Sequence, residues 1–259
     1  VFAPDDLTLT KGSAGGRRRF LDRAIFNLQP TYLDESRSYL LALKHRNDLL
    51  RQSTVDPDLL ASFDETLVTH GARILERRAA FLRAFEPIFQ EVFGEITGEV
   101  HQVTMRYQSG VSSSSDGELV ADHEALSVLF RERLEAKATT DLRRGHTTIG
   151  PHADDLILEL NGHPARVHAS QGQHRAFALA LKIAELRAVR EAIGMEPVLL
   201  LDDVSSELDE SRNRALMAHL DATAGQVFIT TTDRRWIDLQ GEGNVYRVSA
   251  GRVEALPSD

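Results

Sequence analysis

Two apolar stripes with helical spacing predict a pair of long helices in the first hundred residues. The first stripe lies on the a and d positions of a heptad and consists of Leu33, Leu40, Leu43, Asn47 and Leu50. Turn residues occupy 53–58, and the second stripe consists of Leu60, Phe63, Leu67, Ile74, Phe81, Ala84 and Ile88. Because the connecting turn is short, we expect an antiparallel arm of roughly 45 Å at about 1.5 Å per residue, with a kink at Pro87.

After this arm, segments in which apolar residues have the spacing of a strand alternate with segments in which they have the spacing of a helix. A strand is predicted over VHQVTMRYQ, a helix from Ala121 to Ala138, and a hairpin in which Asn161-Gly162 joins DLILEL to ARVHA. Helical spacing returns at Ser170. The runs VLLLDD and QVFITTT are typical of buried parallel strands, and NVYRVSAGRVEAL predicts a terminal edge hairpin. This order indicates an α/β head with a helical arm inserted into it.

Composition narrows the class of protein. The 259 residues are 42% hydrophobic and 27% charged, contain no cysteine and include no apolar run of membrane-spanning length, so we expect a soluble globular protein of a reducing compartment. The net charge of −9 argues against a general polyanion binder and leaves only local contacts with nucleic acid. The apolar start VFAPDDL, without an initiator Met, predicts a fragment of a longer protein, and a processed natural terminus is the alternative.

The strongest chemical signal is an apolar strand that ends in two acids. VLLLDD delivers Asp202 and Asp203 at the carboxyl end of a parallel strand, where open α/β sheets bind ligands. Asp202 suits Mg²⁺ held largely through water, and Asp203 suits polarisation of an attacking water. The alternative is that such acids add solubility or cap the next helix.

Upstream of that strand, SQGQH opens a long helix rich in Ala and Leu. Ser170 can cap this helix, and Gly172 lets a ligand approach the backbone N–H groups at its positive end, which predicts a phosphate site. The alternative is a capping box of Ser170 and Gln173, which needs no ligand, and the two interpretations are compatible. Three motifs follow one another here: a signature-like serine, the paired acids and SELD. Together, in this order, they indicate a function far more specifically than any one of them does alone.

This order of motifs resembles the ABC-type ATPases, and four blocks resemble the RecF family within their SMC-like DNA-repair branch. The blocks, in the family's order, are FAPDDLTLTKGSAGGRRRFLD, TTIGPHADDL, SQGQHR and LLLDDVSSELD. Two residues depart from the family, since Ala14 stands where Pro is common and Ala153 where Arg is usual. The sequence also contains no GxxxxGK[ST] loop, which in this family lies in a more N-terminal region. We therefore expect no ATPase activity from this chain alone.

The resemblance implies the fold class and its division. An α/β fold is expected, comprising a partial ABC-type ATPase head, with a mixed sheet and flanking helices, and an inserted antiparallel helical arm. Residues 1–16 would lead out of the head, residues 17–98 would form the arm, and residues 99–259 would form the C-terminal part of the head with the terminal hairpin.

The resemblance also implies that ATP and Mg²⁺ are bound between two heads of a homodimer. Asp202 would hold Mg²⁺ and Asp203 would be the general base. The other nucleotide contacts would be Ser170, Gln171, Gly172, Gln173, Asp209, Thr231 and Thr232. The pattern around His152, Asp154 and Asp155 is also compatible with a metal site, but a structural turn beside the nucleotide pocket is the preferred interpretation.

The same resemblance implies the partners. They are DNA, both double-stranded and gapped or single-stranded, and recombination mediators such as RecR, in a bacterial cytoplasm at the nucleoid, without a membrane. The candidate DNA contacts are Arg17, Arg18, Arg19, Arg73, Arg77 and Arg83, and solvated helix faces are the alternative. Three other functions stay open: another SMC-like repair ATPase, a non-catalytic partner-binding lobe, and a transporter-associated ATPase, against which the arm and Val204 argue.

Overall fold

The computed structural model describes residues 9–98, 101–111, 122–194, 198–202, 210–223, 225–232, 237 and 243–256. Its helices are α1 (Ala14–Leu28), α2 (Tyr32–Leu50), α3 (Pro57–Thr97), α4 (His123–Arg144), α5 (Ala165–His168), α6 (Gln171–Ile193) and α7 (Glu210–Thr223). Its strands are β1 (Val103–Gln108), β2 (Asp155–Leu160), β3 (His163–Pro164), β4 (Val198–Asp202), β5 (Gln226–Thr230), β6 (Val245–Ser249) and β7 (Arg252–Leu256). Within these ranges no helix is long and apolar enough to cross a membrane.

The chain divides into two compact units. The larger unit is Asp5–Met195, and the smaller one is Glu196–Asp259 together with Val1–Pro4. The larger unit contains α1 to α6 and the sheet β1-β2-β3, whereas the smaller unit contains the parallel pair β4-β5, helix α7 and the hairpin β6-β7. The predicted division at residues 16 and 98 stays a prediction.

In the larger unit, α2 and α3 form the antiparallel pair that the stripes predicted. Their register is marked by the ion pairs Arg77–Glu35 and Arg46–Asp64. Asp56 caps the start of α3 by accepting hydrogen bonds from two backbone N–H groups. α3 has 41 residues, or about 60 Å at 1.5 Å per residue, and is longer than the predicted arm because it also packs against α6.

The buried face of α2 keeps one row of the predicted heptad seam and shifts the other row by one position. Leu43 and Leu50 are buried as predicted. Tyr39 and Arg46 are buried in place of Leu40, which is 55% exposed, and Asn47, which is half-buried. The pattern of apolar residues missed the shifted row because a tyrosine and an arginine occupy core positions, where each makes hydrogen bonds to polar partners.

Aromatic packing fixes α6 against α3. The ring centroids of Phe89 and Phe93 on α3 lie 5.8 and 4.7 Å, respectively, from the ring centroid of Phe177 on α6. All three side chains are fully buried. Burial of each such ring stabilises a fold by about 1.5–3 kcal/mol. The helix that begins after Ser170 is therefore held against α3 by a close-packed core.

The hairpin at Asn161-Gly162 is confirmed, but the segment after it is not the predicted strand. Asn161 and Gly162 have φ angles of 52° and 78°, and β2 pairs with β3 in antiparallel register. The strand β3 has only two residues, and ARVH forms the short helix α5. Pro164 explains this error, because proline lacks the N–H that would continue the ladder and its fixed φ suits the start of a helix.

The smaller unit contains the predicted parallel strands and the terminal hairpin. β4 and β5 pair in parallel register around Leu200↔Phe228. Leu199 and Leu201 are buried, but Val198 is 58% exposed, and Leu200 and Phe228 are exposed on the same face. The continuous apolar run predicted burial of both faces, whereas among the described residues one face of this strand pair is exposed. With these strands and the helices, the predicted α/β class is confirmed.

Candidate nucleotide site

The segment SQGQH opens α6, and Ser170 is its N-cap residue. Ser170 Oγ accepts a hydrogen bond from the Gln173 backbone N–H at 3.2 Å, and the Ser170 N–H donates to Gln173 Oε1 at 2.8 Å. This is the capping box that the sequence predicted. A hydroxyl that accepts this bond still has its proton to donate, and because Ser170 is exposed, the proton is available to an anion.

The first turn of α6 is electrostatically suited to such an anion. The first backbone N–H groups of an α-helix lack partners within the helix and carry its positive end. Gln171 is exposed and Gly172 is half-buried at this end, and the first turn carries no acidic side chain. A phosphate oxygen could therefore meet both the Ser170 hydroxyl and these N–H groups.

The acidic strand end is joined to the neighbouring strand by a hydroxyl. β4 ends at Asp202, and Thr230 at the end of β5 is its register partner. Thr230 Oγ1 donates to Asp202 Oδ1 at 2.6 Å, and the pair is exposed. The carboxylate therefore has one hydrogen-bond partner at the carboxyl edge of a parallel sheet, where oxygen ligands for Mg²⁺ are expected.

Thr230 is the residue that the sequence analysis missed. The sequence named Thr231 and Thr232 as nucleotide contacts, and they come after the end of β5 and are half-buried and exposed, respectively. The side chain that shares a face with Asp202 is set by the register of β4 and β5. Register between two strands separated by a helix cannot be read from one sequence, although the run of threonines was a signal.

Two of the predicted nucleotide residues lie outside the described residues. These are Asp203, the predicted general base, and Asp209 of the SELD segment. Ser170 belongs to the larger unit and Asp202 to the smaller one. The catalytic and nucleotide-binding roles of this whole set stay predictions.

A buried arginine ties the TTIGPHADDL block to the arm. The Arg78 guanidinium of α3 donates to Asp22 Oδ1 at 2.6 Å, Tyr107 Oη at 2.6 Å and the Pro151 carbonyl at 2.8 Å. Burial by itself would lower the pKa of Arg78, but Tyr107, Tyr32 and Asp22 raise it well above its ordinary value. Arg78 is therefore charged and joins α1, α3, β1 and this block in one network.

Asp154 is bound by the protein rather than free for a ligand. It accepts hydrogen bonds from Tyr107 Oη at 3.0 Å, Ser109 Oγ at 2.9 Å and the Gly110 N–H at 3.0 Å. Burial raises its pKa, although these donors and Arg78 act in the opposite direction. Asp154 therefore ties Ser109 and Gly110, just after β1, to the segment before β2.

His152 and Asp155 likewise have protein partners. His152 Nε2 lies 3.1 Å from the Thr147 carbonyl and Nδ1 lies 2.7 Å from Tyr39 Oη, and burial lowers the pKa of the imidazole. Asp155 receives two hydrogen bonds from Arg17, at 2.8 and 2.7 Å. No group of His, Cys, Asp and Glu that could hold a metal ion occurs among the residues described. These contacts agree with a structural turn.

The six arginines proposed for DNA fall into two groups. Arg17 is buried against Asp155, Arg18 donates to the Asp154 carbonyl at 2.6 Å, and Arg77 is paired with Glu35. Burial removes the Arg17 guanidinium from any DNA-facing surface, because its charge is already matched inside the fold. The second group is exposed to solvent and consists of Arg19, Arg73 and Arg83. Contact of these three arginines with DNA stays a prediction.

Comparison with known proteins identifies close relatives. No family model matches the chain. It is 44% identical over 263 residues to the DNA replication and repair protein RecF of Myxococcus xanthus (strain DK1622), in a match that covers 96% of this chain and 68% of that protein. It is 46% identical over 260 residues to RecF of Anaeromyxobacter sp. (strain Fw109-5), with 99% of this chain and 69% of that protein covered.

Solved structures agree with these relatives. The recombination mediator protein RecF-ATPrS of the RecFOR pathway superposes with a TM-score of 0.87 and 32% identity, over 99% of this chain and 67% of that one. The RecF-ATP structure of the same pathway gives a TM-score of 0.86 at 32% identity over 98% of this chain. On this sequence identity and coverage, the chain belongs to the RecF family of DNA replication and repair proteins.

Proposed function

We propose that this chain belongs to an ATP-dependent DNA-binding ATPase of recombinational repair and replication restart. ATP bound between two heads clamps a homodimer, the dimer holds DNA at a single-strand gap or a junction of double- and single-stranded DNA, and slow hydrolysis releases it. The dimer also helps mediators such as RecR to load recombinase. Support comes from the family relationship and from the names of the related structures, which include ATP and the RecFOR pathway.

The exposed Ser170 hydroxyl at the start of the 23-residue helix α6 carries this proposal. Ser170, with Gln171, Gly172 and Gln173, contacts the γ-phosphate held by the opposite head. Asp202 holds Mg²⁺, for which its oriented carboxylate and the Thr230 hydroxyl offer suitable oxygen atoms. Asp203 is the general base, and the remaining contacts are Asp209, Thr231 and Thr232. Mg²⁺ would neutralise charge on the phosphates during hydrolysis.

Replacement of Ser170 by arginine tests the contact across the dimer. The variant loses one hydrogen bond to a charged phosphate at each of two sites, and each such bond contributes about 1.5–3 kcal/mol. We expect ATP-dependent dimerisation of the full-length protein to weaken by at least about 100-fold. Sedimentation velocity with and without Mg²⁺-ATP measures this change.

The matched control is Ser13→Arg, because Ser13 caps α1 in the same way that Ser170 caps α6. Both changes remove an N-cap at a cost of about 1 kcal/mol, so a difference between them reports the phosphate contact. If Ser170→Arg dimerises on ATP as well as Ser13→Arg does, Ser170 does not act across the dimer.

The exposed arginines of α3 give a prediction for DNA. We expect Arg73→Gln and Arg83→Gln to weaken binding to all DNA sequences alike, because contacts with phosphates carry no sequence information. Each lost contact should also reduce the slope of log affinity against log salt concentration by about 0.9. Arg37→Gln on α2, where the side chain is 70% exposed, is the control. Equal salt slopes for all three variants would contradict the assignment.

A further inference from the structure

A buried hydrogen bond joins the start of the larger unit to the helix that carries Ser170. Thr10 Oγ1 and His174 Nδ1 lie 2.7 Å apart, although 164 positions separate them in the chain. Thr10 is 2% exposed and His174 is 4% exposed. The nucleotide roles proposed above involve neither residue, so this polar contact requires its own explanation.

His174 lies where it can fix the orientation of the Ser170 side chain. The two residues are four positions apart, and the His174 N–H donates to the Ser170 carbonyl at 2.9 Å. Residues four apart on an α-helix lie on nearly the same face, rotated by about 40°. A restraint on the His174 ring is therefore a restraint on the first turn of α6, including Ser170 Oγ.

The protonation state of the His174 ring decides the direction of its hydrogen bond with Thr10. Burial lowers the pKa of His174 and Lys11 lowers it further, whereas a hydrogen bond to the Ala169 backbone raises it. A neutral imidazole has one N–H donor and one acceptor nitrogen. With the proton on Nε2, Nδ1 accepts the Thr10 O–H. The ring thus connects Thr10 to the first turn of α6.

The partner segment is itself fixed. Thr10 lies two positions before Gly12, whose carbonyl accepts a hydrogen bond from Arg17 of α1 at 2.8 Å. The Thr10 hydroxyl is therefore presented from a restrained segment, and its hydrogen bond can transmit that restraint to α6.

We propose that the Thr10–His174 pair is a positioning device that orients Ser170 for the γ-phosphate of the opposite head. The pair touches no nucleotide and acts through Ser170. The capping box sets the Ser170 side chain relative to α6, and the Thr10–His174 pair sets the first turn of α6 relative to α1. This role rests on the proposed function, because it assigns a purpose to the orientation of Ser170.

Thr10→Val in the full-length protein tests the proposal, since valine keeps the shape of threonine and removes the hydroxyl. A catalytic contact displaced by even 1 Å can lose about 100-fold in rate, so we expect kcat for ATP hydrolysis to fall by roughly 10- to 100-fold. KM for ATP should change by less than about twofold, because ATP is held mainly by its own head. Thr10→Ser keeps the hydroxyl and should have the kcat of the unchanged protein. His174→Asn should keep part of that kcat, because the asparagine Oδ1 can accept the Thr10 hydrogen bond in place of Nδ1.

The control is Thr69→Val, which removes a hydroxyl that bonds to the Glu65 carbonyl within α3. Hydrogen exchange without ATP adds a second readout, and amides 169–174 should exchange faster in Thr10→Val than in Thr69→Val. Wild-type kcat in Thr10→Val, alongside a defective Ser170→Arg, would overturn the positioning role and leave the proposed function standing. Normal dimerisation of Ser170→Arg would instead overturn the proposed function, whatever the exchange rates show.

Discussion

Replacement of Arg46 by methionine is expected to lower the free energy of unfolding by about 3–5 kcal/mol, the cost of leaving a buried charge without its partner. Arg46 of α2 is fully buried and donates to Asp141 Oδ2 at 2.9 Å and Thr147 Oγ1 at 2.8 Å. Asp141 is also fully buried. Methionine keeps much of the side-chain volume, so the loss reports the charge. Urea denaturation followed by circular dichroism measures it.

A second substitution separates charge from packing. Adding Asp141→Asn to Arg46→Met removes the fully buried charge that is left unpaired, whereas Asp64, the other partner of Arg46, is partly exposed. We expect the second change to recover at least about 1 kcal/mol. Arg131→Met is the matched control, because Arg131 and Glu65 form an exposed ion pair of a kind that contributes about 0–1 kcal/mol. Equal losses for Arg46→Met and Arg131→Met would show that the buried pair does not stabilise the arm.

Replacement of Gly150 by alanine is the second large effect that we expect, with a loss of about 2–6 kcal/mol in the free energy of unfolding. Gly150 has a φ of 122°, a conformation that costs other residues about 1–3 kcal/mol. A Cβ atom there would also lie 2.5 Å from Tyr39 Oη and 2.8 Å from Phe130 Cζ, both on buried side chains. Overpacking of a filled core costs a further 1–3 kcal/mol or so.

Gly94→Ala is the control for this glycine. Gly94 lies in α3, and an added Cβ there has no neighbour within 4 Å. Alanine should therefore stabilise the helix by roughly 0.5–1 kcal/mol. Thermal unfolding of the two variants should move in opposite directions. A melting temperature for Gly150→Ala equal to that of the unchanged protein would mean that the turn at Pro151 is not packed against α2.

The helices and strands themselves were largely predictable from local chemistry. The cap at Asp56, the positive φ angles at Asn161-Gly162 and the capping box at Ser170 depend on residues a few positions apart, and the sequence shows these spacings directly. The predictions failed where a distant partner decided the outcome. Leu40 was placed in the seam because nothing local reveals that Tyr39 meets His152 and that Arg46 meets Asp141.

The candidate site shows the same division. The sequence placed Ser170 at a helix start and Asp202 at a strand end, and both placements are confirmed. It missed Thr230, whose hydrogen bond to Asp202 depends on parallel register. It also assigned Arg17 to DNA, whereas the fold buries Arg17 against Asp155, because exposure of an arginine depends on what packs over it.

The amino-acid sequence by itself therefore determined the family, the α/β class and the order of the phosphate-binding and acidic motifs, since these are carried by contiguous residues. Only the tertiary structure decided which polar side chains are buried and hydrogen-bonded within the protein and which face solvent. Arg46, Arg78 and His174 look like ordinary polar residues in the chain, yet each is buried. The reason is physical: a buried polar group is stable only when its hydrogen-bonding partners are in place, and those partners come from distant segments.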